Sequence, residues 1–288
     1  MNIGIIGAGR VGCAFGIGLK NSGFSVAGVY SRSDESQRFL SSKLELNCIN
    51  GLRETVKNSE VILISVPDNS IKDLAVEIIQ KTEAEHVDSK TFIHLSGALT
   101  SEVLEPLQKA GAFVGSLHPV QTFADRENGW EKLYNIYYGF EGCDKARDIA
   151  LRIIKAFEGK IIHIDKKDKP LYHMAACIIS NYTVTLSHVA GKILENIGID
   201  GEDAAKVFLP LIQNTVDNIG KFGSAGALTG PISRGDYKVV EEHIKALIGL
   251  EPQISDIYKI LGQKTIDLAL IKGTLLDDSA DKLRSLLS

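Results

Sequence analysis

The sequence has few of the residues that would place it in several large protein classes. Four cysteines occur in 288 residues, Cys13, Cys48, Cys143 and Cys177, and no two stand in C-x-x-C spacing. That spacing argues against a zinc ribbon and a disulfide framework, so reduced thiols and no metal site are expected. Positive charge is also in deficit. With 32 Lys and Arg against 36 Asp and Glu, the formal net charge is -4. A nucleic-acid partner is therefore not expected, and any positive charge needed for phosphates must be local. No apolar run approaches the roughly 18 residues that a membrane span requires. A strand-like run beginning at Asn2 leaves no place for a leader peptide, so a cytoplasmic protein without membrane association is expected. Repeats, low-complexity tracts and charge blocks are absent as well. What remains is a chain that is 44% hydrophobic and long enough for two domains of ordinary size.

The most informative stretch is the first, MNIGIIGAGRVG. Asn2 to Ile6 is an apolar run of strand length, and Val11 to Lys20 has a helical pattern. Between them Gly7, Ala8, Gly9, Arg10, Val11 and Gly12 spell G-x-G-x-x-G. Gly7 permits a tight turn, Gly9 lets the backbone approach a pyrophosphate, and Gly12 lets helix and strand pack closely. The helix N-terminus then offers free N–H groups to the phosphates. A second strand, Ser25 to Tyr30, ends in Ser31, Arg32 and Ser33, where an NAD site usually carries an acidic residue. A guanidinium between two hydroxyls suits the 2′-phosphate of NADP. The alternative is a solvated Arg32, with Asp34 holding the ribose.

Further strands are expected at Glu60 to Val66, Thr91 to Leu95, Phe113 to Leu117, Tyr134 to Phe140 and Lys160 to Ile164. The fold class is α/β: an N-terminal Rossmann doubly wound sheet of about eight strands, over residues 1–165. Ser65 to Asn69, including Val66 and Pro67, should line the nucleotide crevice, unless Asp68 or Asn69 only caps the next helix. Ser96 and Gly97 follow one strand and His118 ends another, all at the carboxyl edge where ligands of open α/β sheets bind. His94 lies mid-strand and reads as a core histidine.

Residues 166–288 carry helical periodicity and no convincing strand, so an all-helical second domain is expected. Its first helix, from Pro170 to about Asn196, is apolar nearly all round and must be covered by other helices or a partner subunit. Lys169, His173, Cys177 and Asn181 follow at steps of four as a polar stripe. Neighbouring backbone or a partner helix would satisfy such a stripe. If it instead faces the nicotinamide, Lys169 or His173 would be a proton donor and Asn181 a substrate ligand. A helix from Gly201 to Gly220 should kink at Pro210. The glycine-dense stretch from Phe222 to Asp236 reads as a loop. Thr229, Gly230, Ser233 and Arg234 would close it over the cleft, with Arg234 offered to a substrate carboxylate, or Arg234 and Asp236 form a surface pair.

These residues also carry a family resemblance. GIIGAGRVG at 4–12, HLSGAL at 94–99, GSLHPVQTF at 115–123, KPLYHMAACIISNY at 169–182 and GPISRGD at 230–236 resemble the proteins that join a Rossmann-like domain to a DUF2520 domain. That group is similar to the reductases with a 6-phosphogluconate dehydrogenase C-terminal-like domain. The resemblance implies NADP (NADPH) use and a homodimer formed through the helices. Related branches include ketopantoate reductases, pyrroline-5-carboxylate reductases and β-hydroxyacid dehydrogenases. The ketopantoate and β-hydroxyacid branches carry a lysine early in the first long helix, matched here by Lys169 or His173, and asparagines on later turns, matched by Asn181. Cys177 stands where the first asparagine would, and a thiol orients a hydroxyl poorly. The resulting expectation is an NADP-dependent oxidoreductase acting on a small carboxylated carbonyl compound, a ketopantoate-like 2-oxo acid first. An imine reductase of the pyrroline-5-carboxylate kind is the second reading, and a non-catalytic nucleotide sensor or structural homodimer the third.

Overall fold

In the computed structural model, which describes residues 1–46 and 51–288, alternating apolar strands and amphipathic helices build an open twisted sheet. Cys48 lies outside the described residues, while Cys13, Cys143 and Cys177 are free thiols. The strands are β1 (Asn2–Ile6), β2 (Ser25–Tyr30), β3 (Val61–Ile64), β4 (Thr91–His94), β5 (Phe113–Pro119), β6 (Tyr137–Gly142) and β7 (Lys160–His163). Seven strands, rather than about eight, are found among the described residues. Each apolar run of strand length is used once, and beyond His163 the chain is helical wherever it is regular.

The spatial order is β2-β1-β3-β4-β5-β6-β7. The first five strands are mutually parallel, β6 pairs with β5 antiparallel, and β7 follows β6 in parallel. After β2 the chain crosses back over β1 to reach β3, so strand order reverses between β1 and β3. In such sheets the ligand crevice opens at the carboxyl ends beside that reversal.

Strands β3 and β4 are buried throughout, as expected for parallel strands covered on both faces. One face carries Ile3, Ile5, Leu63, Ile93, Leu117 and Phe140, under helices α1 (Arg10–Asn21) and α6 (Asp144–Ala156). The exposed helix α2 (Asp34–Lys43) buries only Gln37, Leu40 and Ser41. The opposite face carries Ile6, Ile62, Ile64, Phe92 and Val114, covered by α3 (Leu52–Lys57), α4 (Asp68–Lys81) and α5 (Glu105–Lys109). Each fully buried aliphatic or phenyl side chain stabilises the fold by roughly 1.5–3 kcal/mol. At the amino edge, Lys90 donates to the carbonyls of Val56, Lys57 and Ser59 at 2.6, 2.8 and 2.5 Å, closing the C-terminus of α3.

Packing divides the chain into two compact units, Met1–Ser180 and Asn181–Ser288, and the long helix α7 (Lys169–Glu195) runs through both. The second unit continues with α8 (Gly201–Ala227), α9 (Pro231–Arg234), α10 (Tyr237–Ala246), α11 (Pro252–Lys272) and α12 (Asp277–Leu286). Its core gathers Ile232, Val240, Ile266, Ala269 and Leu283.

One expectation is corrected here. The backbone of α8, with Pro210 inside it, leaves helical geometry at Gly223, with φ 71°. Only glycine enters that region freely, so the break falls where the side chain is absent. The stretch from Phe222 to Asp236, expected as a loop, is helical over most of its length, with non-helical residues at 228–230 and 235–236. No helix of the described residues is long and apolar enough to cross a membrane.

Candidate active site

The chain leaves β1 at Ile6 and turns at Gly7, whose φ is 99°. A Cβ there would lie 2.2 Å from the Ser65 carbonyl oxygen, and one at Gly12 would lie 1.9 Å from the Gly7 carbonyl oxygen. Both positions are closed to any side chain. Gly9 is different, for its Cβ would meet no atom within 4 Å. It is the N-cap of α1, no side chain caps that helix, and no acidic residue occupies its first turn. The free N–H groups of Arg10 and Val11 and the positive end of the helix dipole therefore face an open space, which is the cradle a pyrophosphate requires.

A crevice of about 340 Å³ extends from this turn, lined by Gly7, Ala8, Gly9, Ser31, Arg32, Ser33, Ser65, Val66 and Pro67, with Asp73 and Glu77 on the α4 side. That volume is in the range of small-molecule sites. Arg32 enters no ion pair among the described residues. Ser33 is the N-cap of α2, its Oγ accepting from the Ser36 N–H at 3.3 Å. Asp34 begins that helix and does not line the crevice. Neither Asp68 nor Asn69 caps α4, whose N-cap is Pro67 without a side-chain bond. The residues fit an NADP-type dinucleotide, with the diphosphate at Gly9 and an extra phosphate at Arg32.

Further along the same carboxyl edge, strand register assembles a polar row. His94 pairs with Ser116 across β4 and β5, and Ser116 pairs with Glu141 across β5 and β6, so the three side chains share one face. All three are buried. His94 accepts from the Ser96 N–H at Nδ1 (3.3 Å) and donates from Nε2 to the Thr100 carbonyl (3.1 Å). It is a satisfied core histidine, and burial holds its pKa down to about 3. Ser116 donates to the Ser96 carbonyl at 3.1 Å, while Glu141 accepts from the Ser101 N–H at 2.5 Å and its hydroxyl at 2.7 Å. Ser96 Oγ in turn accepts from the N–H groups of Ala98 and Leu99, each at 3.1 Å. Residues 96–101 are thus pinned by every member of the row.

Lys169, the first residue of α7, enters this row. It is only 1% exposed, and its ammonium donates to the Ser116 hydroxyl. Burial pulls its pKa down to about 8, opposed by the carboxylates of Glu141 and Asp68. One turn along α7, Tyr172 meets the next row outward, where His118 pairs with Gly139. The Tyr172 hydroxyl and His118 Nδ1 are 2.8 Å apart. A Cβ on Gly139 would come within 2.5 Å of that hydroxyl, so glycine makes the room for it. The His173 ring packs edge-on against His118, with centroids 6.2 Å apart, and His173 Nε2 is 3.5 Å from the Cys177 thiol. Burial, then the neighbouring His173 and Lys169, depress the His118 pKa to about 4.

The structure thus brings together Ser96, Gly97, His118, Lys169 and His173. It does so within the first compact unit. Asn181 and Arg234 belong to the second unit. Asn181 is exposed there, with its carbonyl accepting from Thr185 Oγ1 at 3.2 Å. Arg234 Nε lies 2.9 Å from Asp236 Oδ2 on the surface, and Ser233 is buried against the Thr274 hydroxyl. Three polar residues of the cluster escaped sequence reasoning: Ser116, Glu141 and Tyr172. The alternation of Ser116 and His118 on one strand face, and the three-residue step from Lys169 to Tyr172, were the available signals.

The turn, the crevice and the strand reversal are those of a dinucleotide-binding α/β protein. More specifically, residues 1–119 match the Rossmann-like domain family and residues 136–265 match DUF2520, a domain of unknown function. No curated protein matches the sequence. Among solved structures, a proposed NADP oxidoreductase from Bacteroides fragilis is similar at 23% identity, over 92% of this chain and 98% of that one, with a TM-score of 0.73. Protein TM1727 from Thermotoga maritima is 27% identical over 99% and 100% of the two chains, with a TM-score of 0.67. A pyrroline-5-carboxylate reductase from Coxiella burnetii is 15% identical over 99% and 98%, with a TM-score of 0.58.

Proposed function

We propose that the protein is an NADP-dependent oxidoreductase that reduces a small carboxylated carbonyl compound, with ketopantoate-like 2-oxo acids the leading class. The observation that carries this reading is the shared edge. The open Gly9 cradle with Arg32 and the His118–Tyr172–Lys169 cluster lie along the carboxyl ends of one sheet. The name of the Bacteroides fragilis relative supports the cofactor. NADPH, when bound, supplies a hydride. The chain's own residues do the rest.

Gly7 and Gly12 shape the turn, the free N–H groups of α1 hold the diphosphate, and Arg32 with Ser31 and Ser33 holds the 2′-phosphate. Lys169 has no surface from which to touch a substrate. It acts as a fixed buried cation, whose positive potential favours negative charge developing on the substrate oxygen. His118, half-buried, is the group that reaches that oxygen, and Ser96 and Gly97 border its place. His118 is neutral and Lys169 is sealed, so the proton that completes the alcohol comes from water at the open side.

The pyrroline-5-carboxylate reductase relative favours a second reading, reduction of a cyclic imine. For either substrate we propose a homodimer. In the single chain α7 leaves Leu171, Met174, Tyr182 and Val184 exposed, and a second copy of this chain is the cover its apolar surface calls for.

The test is NADPH oxidation against a panel of 2-oxo acids and cyclic imines, beside direct binding of NADPH and NADH. Turnover of a 2-oxo acid is expected. Arg32→Ala is expected to weaken NADPH by about 1.5–3 kcal/mol, at least roughly tenfold, while leaving NADH nearly unchanged. Tight NADPH binding with no turnover on any substrate would sink the reductase reading and favour a nucleotide sensor.

A further inference from the structure

We infer that Tyr172 is a positioning residue, one that locks His118 as a neutral imidazole with its proton on Nε2. That N–H is thereby left as a hydrogen-bond donor without a protein acceptor. The assignment of this donor to a substrate carbonyl oxygen rests on the reductase reading; the tautomer does not.

The argument begins with Tyr172. Its oxygen is 2.8 Å from His118 Nδ1. A phenol has one proton to give. Burial raises the Tyr172 pKa to about 12, so that proton stays on the oxygen at neutral pH. Nδ1 is the one acceptor within hydrogen-bond distance of the phenol among the described residues, so the proton points to Nδ1. Nδ1 then accepts, and a neutral imidazole that accepts at Nδ1 carries its hydrogen on Nε2.

The imidazole is neutral because burial disfavours its charge, and the two groups that act on it, His173 and Lys169, oppose a second proton. Lys169 of α7 is a buried cation and His173 of α7 is a second imidazole, and the apolar surroundings disfavour charge. Asp68 and Glu141, the carboxylates facing the cluster from α4 and β6, act on Lys169. Glu141 is itself bonded to Ser101.

The far edge of the ring is the working edge. A Cβ built on Gly97 would lie 2.8 Å from both Cδ2 and Nε2 of His118 and 2.9 Å from Cε1, so the glycine packs against the ring and no side chain fits between them. Nε2 has no hydrogen-bond partner among the described residues, and it is not among the buried unpartnered atoms. A donor with no protein acceptor on a half-buried ring is placed for an acceptor on a ligand. A neutral imidazole is well suited to polarising a carbonyl, because it donates a hydrogen bond without surrendering a full charge. His173 cannot take this part, since its Nδ1 is buried without a partner and its Nε2 faces the Cys177 thiol.

The experiment is a long-range proton–nitrogen NMR correlation on the full-length protein labelled with ¹⁵N-histidine, with His118 assigned by its loss in His118→Gln. The wild-type protein is expected to show the Nε2–H pattern at His118 across pH 6 to 8. In Tyr172→Phe that pattern should give way to a mixture of tautomers. On a substrate identified by the panel, kcat should fall about ten- to a hundredfold, with KM within about twofold. An Nδ1–H pattern or an imidazolium at His118 in the wild-type protein overturns the inference, whether or not Tyr172→Phe folds. An unchanged tautomer in a folded Tyr172→Phe overturns it as well. If the Nε2–H tautomer is found but no panel compound is reduced, the reductase reading fails and the tautomer lock stands.

Discussion

Glycine separates architecture from chemistry in the opening turn. Gly12 is there for packing, because its Cβ would stand 1.9 Å from the Gly7 carbonyl oxygen. Gly9 is there for a ligand, because nothing of the protein approaches its Cβ position and its φ of -75° suits any residue. Gly9→Ala is therefore expected to melt within a degree or two of the wild type and yet bind NADPH at least tenfold more weakly. Gly12→Ala should lose binding and several degrees of stability together, through overpacking that costs about 1–3 kcal/mol. Thermal melts beside fluorescence titration with NADPH check both. This turn was legible in the sequence because the strand, the glycines and the helix are neighbours along the chain. Ser116, Glu141 and Tyr172 were not, because what joins them is register across strands and the docking of a helix. Reading α7 in steps of four found Lys169, His173 and Cys177 and passed over Tyr172, which shares the face at a step of three.

At the level of elements, the parallel strands end in two histidines held neutral inside the fold. In the unfolded chain each titrates near 6.5, whereas in the native protein His94 is held to about 3 and His118 to about 4. As pH falls below 6.5, the unfolded chain takes up protons that the native protein refuses. Stability contributed by these two groups is thus complete above 6.5 and lost as pH falls toward 4, at up to about 1.4 kcal/mol per pH unit for each. Urea midpoints measured between pH 7 and 5 should fall accordingly, and the slope should be shallower in His118→Gln. Equal slopes in the two proteins would contradict the buried neutral state of His118. The seven strands themselves were legible as apolar runs between turn signals. The break in α8 was not, since Gly223 stands among other small residues that read equally well as a loop.

For the whole molecule, the largest unmet demand is the apolar surface on α7 and α8. Val184 is 71% exposed and Leu211 61%, far from the covering that an apolar helix requires. Light scattering is expected to give twice the 31.3 kDa of the chain, and the melting temperature should rise with protein concentration. Val184→Glu, which disturbs no buried contact within the chain, should shift the protein toward monomer. A wild-type monomer at micromolar concentration would rule out the homodimer.

The reversal of β6 has a consequence of its own. Because β6 runs against β5, their connection, residues 120–136, needs no crossover helix and returns directly at the carboxyl edge of the sheet. It is held from the side by Arg126, which bonds Glu35 at 3.3 Å and stacks on Phe39. Its second half is anchored, with Leu133 fully buried in the core and the Tyr134 hydroxyl 2.9 Å from Ser22 Oγ. Residues 121–128 carry no strand register and are mostly exposed. An evolving lineage can therefore rewrite that first half by insertion or deletion while the seven strands, and the chemistry fixed to them, stay in place.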